Sequence, residues 1–240
     1  MSLKKYIPNT ITSFNLLSGA GSIICTFNND YEWALLFILF AAIFDFFDGF
    51  AARLLDVKSE IGKELDSLAD DISFGLAPAI LMYHKMSNMA GCPKILIYTP
   101  LILAAFSAVR LAKFNIDDRQ TESFIGLPTP ASSILLSSMI CMSSINHIPS
   151  LENFYMIPIL SILFSILLIS NIPMFSLKFH DYTIKHNIHR YIFLSISFII
   201  ILVALVFTVH FATIIFLVML WYMFANIIIL LGTLLTNKKN

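Results

Sequence analysis

Residues 44–70 read FDFFDGFAARLLDVKSEIGKELDSLAD, and apolar runs lead into this stretch and out of it. It carries Asp45, Asp48, Asp66 and Asp70, together with Gly49, Gly62 and Arg53. A lone Asp near the middle of a membrane helix costs about 2.5–3.5 kcal/mol on insertion scales. Four of them are tolerable only if they face a wet cavity, a cation or one another. The rest of the chain shows that a membrane is the right reference solvent. Apolar residues make up 58% of the 240 residues and charged ones 12%, and the mean hydropathy is +0.83. Soluble domains hold about 45–50% apolar residues. This composition excludes a soluble domain on one anchor and points to an all-α polytopic membrane protein.

Working outward, apolar stretches of spanning or near-spanning length fall at roughly 12–28, 32–52, 65–84, 95–114, 130–148, 155–173, 191–208 and 212–234. The first and fifth are short or rather polar. The net charge is zero, yet the cations are sorted. With both termini on one side, that side receives Lys4, Lys5, Arg53, Lys58, Lys63, Arg110, Lys113, Arg119, Lys178, Lys185, Arg190, Lys238 and Lys239. The other side receives only Lys85 and Lys94. The positive-inside rule therefore puts both termini and the acidic stretch in the cytoplasm, as expected for a protein of the cell (inner) membrane. Membrane lipids, not nucleic acid, are the expected surroundings. The sequence reads as one membrane domain over 1–240, with an interfacial segment at 1–11, a working core at 12–173 and a closing helical hairpin at 190–234. The N-terminus lacks the pattern of a cleavable signal peptide. Cys25, Cys92 and Cys141 are isolated and read as small apolar residues. His180, His186 and His189 fit no compact metal site, and a basic loop on anionic lipid explains them.

Asp45 and Asp48 are three residues apart, and Asp66 and Asp70 four apart. On helices both spacings stack side chains on one face. A short connection from about Leu55 to Lys63 makes the two helices antiparallel neighbours, so the four carboxylates converge near one interface. Oxygen ligands without Cys or His select hard cations such as Mg²⁺, Mn²⁺ or Ca²⁺. Four like charges favour two divalent cations over one. Gly49 and Ala52 leave a slot beside the acids, Arg53 offers a fork suited to phosphate oxygens, and Gly62 frees the backbone before the next helix.

The pattern Asp45-x2-Asp48-Gly49-x2-Ala52-Arg53-x8-Gly62-x3-Asp66-x3-Asp70 resembles, without a gap, the signature of the CDP-alcohol phosphotransferases. The resemblance implies a six-helix core, here extended by a C-terminal two-helix hairpin to about eight membrane helices. It also implies a homodimer, a cytoplasm-facing cavity and two divalent cations, Mg²⁺ or Mn²⁺. By the same resemblance Asp45, Asp48 and Asp66 are metal ligands, and Asp70 borders the metals and acts as general base. Gly49, Ala52, Arg53 and Gly62 line the CDP pocket. Asn9 and Thr12, in the run Pro8-Asn9-Thr10-Ile11-Thr12, reach the nucleotide or its diphosphate.

Three further stretches are similar to membrane-type phosphatidylserine synthases: Ser73–Ala79 (SFGLAPA), Arg110–Asn115 (RLAKFN) and Phe124–Pro130 (FIGLPTP). The substrates implied are CDP-diacylglycerol and L-serine. Serine is a zwitterion, so its site needs a cation for the carboxylate. Arg110, Lys113 and Asn115, at the cytoplasmic end of the fourth segment, are the acceptor-site candidates, with Arg110 facing the carboxylate. Two rivals stay open. Phosphatidylglycerophosphate synthase, or another acceptor on the same scaffold, shares the signature. An ion-coupled transporter also buries carboxylates, but near the midplane and with inverted repeats or broken helices.

Overall fold

Two tight turns bring the acidic stretch together. Asn29 adopts a left-handed φ of 61°, and the Asp30 carboxylate then accepts the Trp33 amide at 3.1 Å to start the second helix. Asp56, at φ 49°, reverses the chain again, and Ser59 caps the next helix by accepting the Gly62 amide at 3.2 Å. The computed structural model describes residues 6–57, 59–116, 124–146, 153–175 and 187–237, with Lys4 and Thr183.

The helices are α1 (Tyr6–Phe27), α2 (Tyr31–Leu54), α3 (Glu60–Asp70), α4 (Ala77–Ser87), α5 (Lys94–Ile97), α6 (Leu101–Ile116), α7 (Thr129–Asn146), α8 (Met156–Ile169), α9 (Ile188–Val206) and α10 (Phe211–Asn237). A π-helical turn, Asp71–Leu76, fuses α3 to α4. With α5 running on into α6, eight rods result among the described residues, one for each apolar segment of the sequence. Five stretches among the described residues are long and apolar enough to cross a membrane: Tyr6–Phe27, Tyr31–Leu54, Lys94–Ile116, Ile188–Val206 and Phe211–Gly232. The α3–α4 rod falls outside that set because it carries the acids. The first rod begins at Tyr6 and not at 12, so Pro8, Asn9 and Thr12 all ride on its first turns. Proline is tolerated there because the first-turn amides have no helical partner.

At Gly19 the backbone of α1 meets the π-helical turn. A Cβ there would lie 2.7 Å from the Ser73 Cα, so only glycine allows this approach. The Ser73 hydroxyl crosses the same contact to donate to the Asn15 carbonyl at 2.9 Å. The fifth apolar segment is polar for a reason that composition alone hides. Helix α7 is the centre of the bundle, and Ser132, Ser133, Ser137, Ser138 and Ser143 are all at most 1% exposed. Small residues let neighbouring helix backbones come close where lipid supplies no hydrophobic drive.

Helix α10 packs along α7 and only α9 is left at the rim. Asn226 of α10 accepts the Phe175 amide at 2.9 Å, and the Tyr222 hydroxyl donates to the Phe175 carbonyl at 3.3 Å. Phe175 follows β2 (Pro173–Met174), which pairs antiparallel with β1 (Phe124–Ile125). The entry to α7 is thus tied to α10 through the β1–β2 pair and the side chains of Asn226 and Tyr222. Of the cations sorted in the sequence, Lys5, Lys58, Arg119, Lys178, Lys185, Lys238 and Lys239 lie outside the described residues, as do His180 and His186.

Candidate active site

The acidic site forms where the last turns of α2 meet the start of α3 and the first turns of α1. Asp48 is 6% exposed, and Asp45 and Asp66 are half-buried. One carboxylate oxygen from each of the three lies within 4.8 Å of the other two. At an effective dielectric of 20, each such pair repels by roughly 3–4 kcal/mol. Three pairs together approach the whole net stability of an ordinary domain, about 5–15 kcal/mol. A bound cation would offset this repulsion. Asp48 Oδ2 and Asp66 Oδ1 are buried with no hydrogen-bond partner. All-oxygen donors, held close and partly unsatisfied, fit a hard divalent cation.

Asp70 stands beside this trio and outside it. It is 9% exposed, its Oδ1 accepts the Asn15 amide at 2.9 Å, and Asp45 and Asp66 are its acidic neighbours. Asn15 is fully buried. The π-helical turn begins at the next residue. Such turns recur at functional sites because they shift the register of the side chains that follow.

A pocket of ≈230 Å³ opens on the same face, lined by Pro8, Asn9 and Thr12 of α1, Asp48, Gly49 and Ala52 of α2, Val57 and Ser59 of the turn, and Gly62, Lys63 and Asp66 of α3. A Cβ on Gly49 would meet nothing within 4 Å, so the absent side chain is open pocket space. At Gly62 a Cβ would lie 3.0 Å from Asn9 Oδ1, and glycine there keeps the α1 and α3 walls close. Asn9, Thr12, Gly49, Ala52 and Gly62 are thus brought together with the acids. Arg53 is not on the pocket wall; it is exposed at the end of α2.

The three acceptor-site candidates separate. Arg110 is 7% exposed; its Nη1 donates to Thr129 Oγ1 at 2.7 Å, and its Nε has no partner. Asp70 on one side and Tyr222 on the other are its electrostatic neighbours. Lys113 is exposed. Asn115 serves as a clasp between helices: its amide donates to Ser67 Oγ at 2.8 Å, and its carbonyl accepts Lys63 Nζ at 2.6 Å. Only Arg110 of the three is directed into the interior beside Asp70.

Sequence reading passed over Asn15, Lys63 and Tyr222. Asn15 carried one usable signal, its spacing of three from Thr12 along the face that holds Pro8 and Asn9. Tyr222 carried none, because Phe175 and Arg110, which it meets in the fold, are distant in sequence.

The comparisons agree with this geometry. A family model described as CDP-alcohol phosphatidyltransferase matches residues 5–238. The chain is 39% identical over 131 residues to the CDP-diacylglycerol–serine O-phosphatidyltransferase of Bacillus subtilis, covering 55% of this chain and 73% of that one. It is 31% identical over 194 residues to the Helicobacter pylori protein of the same name, covering 80% and 81%. With the protein of that name from Methanocaldococcus jannaschii it shares 36% over 168 residues, covering 69% and 72%. A match across nearly the whole length, on a fold that gathers the signature acids at one pocket, makes this chain a member of the CDP-alcohol phosphatidyltransferase family.

Proposed function

We propose that this integral membrane protein transfers the phosphatidyl group of CDP-diacylglycerol to the hydroxyl of L-serine, giving phosphatidylserine and CMP. The observation that carries the reading is the carboxylate trio, two of whose members, Asp48 and Asp66, line a pocket built from the family signature. The curated relatives named for this reaction support serine as acceptor.

Asp45, Asp48 and Asp66 would hold the divalent metal, and the charge of Asp70 close by favours two ions, Mg²⁺ or Mn²⁺. When bound, the metal neutralises diphosphate charge and makes CMP a better leaving group. Asn9, Thr12, Gly49, Ala52 and Gly62 shape the CDP pocket, and Arg53, exposed at the end of α2, offers a fork suited to phosphate oxygens. Asn15 fixes one oxygen of Asp70, so the carboxylate presents a defined face to the acceptor. Asp70 takes the serine hydroxyl proton as that oxygen attacks the phosphorus bearing diacylglycerol. The new O–P bond forms as the bond to CMP breaks, in one displacement governed by positioning. Arg110, buried with an unspent N–H, pairs with the serine carboxylate. Lys113, exposed, and Asn115, bound to Ser67, are left as supports of that helix end.

The cation sorting along the sequence supports a cytoplasmic site and cytoplasmic termini in the cell (inner) membrane. The family resemblance supports a homodimer. Residues 12–173 would form the six-helix catalytic core behind a membrane-surface segment at 1–11, with 190–234 as an added hairpin, in one domain.

The test is acceptor competition. Purified protein receives CDP-diacylglycerol with equal labelled serine, glycerol 3-phosphate and inositol. Phosphatidylserine should dominate, with CMP released in equal amount. A different dominant phospholipid would move the acceptor and leave the scaffold reading. No CMP with any acceptor would sink the enzyme reading altogether.

A further inference from the structure

The donor pocket contains a cation that neither the signature nor the mechanism uses. Lys63 follows Gly62 on α3, stands one helical turn before Asp66, and lines the pocket. Among the described residues on that wall it is the only cationic side chain, since Arg53 lies off the wall. Its Nζ donates to the Asn115 carbonyl at 2.6 Å. An ammonium has three donors, so this bond leaves two, on a flexible four-carbon stem that can swing without moving the helix. Asp48, Gly49 and Ala52 line the same pocket.

We propose that Lys63 is a donor-binding residue whose ammonium contacts a phosphate oxygen of the CDP-diacylglycerol diphosphate. The proposal rests on the functional reading above for the identity of the donor. The charge arrangement favours it: a diphosphate entering this pocket meets carboxylates on α2 and α3, and Lys63 supplies the protein's own positive charge on that wall. The rival account makes Lys63 a cap for the C-terminal carbonyls of α6 and nothing more. That account predicts no effect on donor affinity.

The experiment compares Lys63→Met, Lys63→Arg and Ser67→Ala in detergent-solubilised full-length protein. Two quantities are read: the Mn²⁺-dependent rise in melting temperature on adding CDP, and the separate KM values for CDP-diacylglycerol and serine. Lys63→Met should raise the donor KM about tenfold or more and shrink the CDP-induced stabilisation, with the serine KM within twofold. Lys63→Arg should recover most of the donor affinity. Ser67→Ala, which breaks only the side-chain half of the Asn115 clasp, should leave the donor KM within twofold. An unchanged donor KM in Lys63→Met overturns the proposal, and so does a Ser67→Ala variant that reproduces the Lys63→Met defect. If Lys63→Met fails to fold, Lys63→Gln takes its place, with the same expected rise in donor KM and the same overturning result. CDP binding needs no acceptor, so a wild-type chain that ignores CDP sinks the functional reading. A wild-type chain that binds CDP no better than Lys63→Met sinks only the role of Lys63.

Discussion

The two ends of this bundle hold similar amounts of polar chemistry and treat it in opposite ways. At the outer end the polar groups are spent on one another. The Tyr31 hydroxyl lies 3.1 Å from His84 Nδ1, Asn88 donates to Asn29 Oδ1 at 3.3 Å, Lys85 donates to Ser144 at 3.4 Å, and His210 Nε2 is 3.6 Å from Glu32 Oε2. These contacts join the α1–α2 turn to α4, α7 and the α9–α10 hairpin. At the acidic end, Asp48 Oδ2, Asp66 Oδ1 and Arg110 Nε are buried and unpaired, and three carboxylates crowd within 4.8 Å of one another. A buried polar group without a partner costs about 1–3 kcal/mol, so the acidic end bears a strain that the outer end avoids. Paired polarity fastens helices; the unpaired carboxylate oxygens of Asp48 and Asp66 suit a ligand.

The largest expected effect comes from breaking the crowded side. Losing about 4 kcal/mol of charge stabilisation corresponds to roughly a 10³-fold fall in rate, and Asp66→Ala should lose at least that in CMP release. It should also lose metal-dependent CDP binding, as should Asp45→Ala. Without metal, either variant should melt no lower than the wild type, because like-charge repulsion is relieved. A clear loss of metal-free stability would mean that the acids are structural, like the groups at the outer end.

Asp70→Asn should follow. Loss of a general base typically costs about 10²–10⁴-fold, and CDP with Mn²⁺ should still raise the melting temperature because the trio is intact. Near-normal turnover would remove Asp70 from the proton-transfer role. Asn15→Ala asks a finer question, since it leaves every signature residue in place. A hydrogen bond to a charged group contributes about 1.5–3 kcal/mol, or roughly ten- to a hundredfold in rate. The loss should fall on kcat, with the donor KM within about twofold and a displaced pH–rate profile. A pH profile that does not move would reduce Asn15 to a packing residue.

How much of this was legible beforehand depends on which forces act locally. Eight apolar stretches became eight rods because lipid-facing helices need length and apolarity, and both are visible in single segments. Asp45, Asp48 and Asp66 lie close together because helical spacing and a short turn suffice to bring them there. What stayed hidden depends on distant partners. The polarity of Ser132–Ser143 looked like a weak membrane segment, and it reflects a helix surrounded by other helices. Arg53 had the right chemistry for the pocket, yet its place in the last turn of α2 leaves it exposed. Asn115 seemed to belong with Arg110, and its partners proved to be Ser67 and Lys63 on α3. The π-helical turn after Asp70 has no local signal, because it arises where Gly19 and Ser107 crowd the chain from two sides.

The smallest expected effect tests the quiet side of the comparison. Tyr31→Phe removes one hydroxyl and leaves the ring packed beside His84. A net hydrogen bond contributes about 1 kcal/mol, and for a chain of this size that shifts the melting temperature by roughly 2–4 °C. Turnover and both KM values should stay within about twofold, because no atom of the α2–α3 pocket is disturbed. A tenfold loss of CMP release at unchanged melting temperature would be the informative surprise. It would mean that the outer contacts hold the rods in the register the carboxylates need. The two ends would then be mechanically coupled through α2, which carries both Tyr31 and Asp45, and through the α3–α4 rod, which carries both Asp70 and His84.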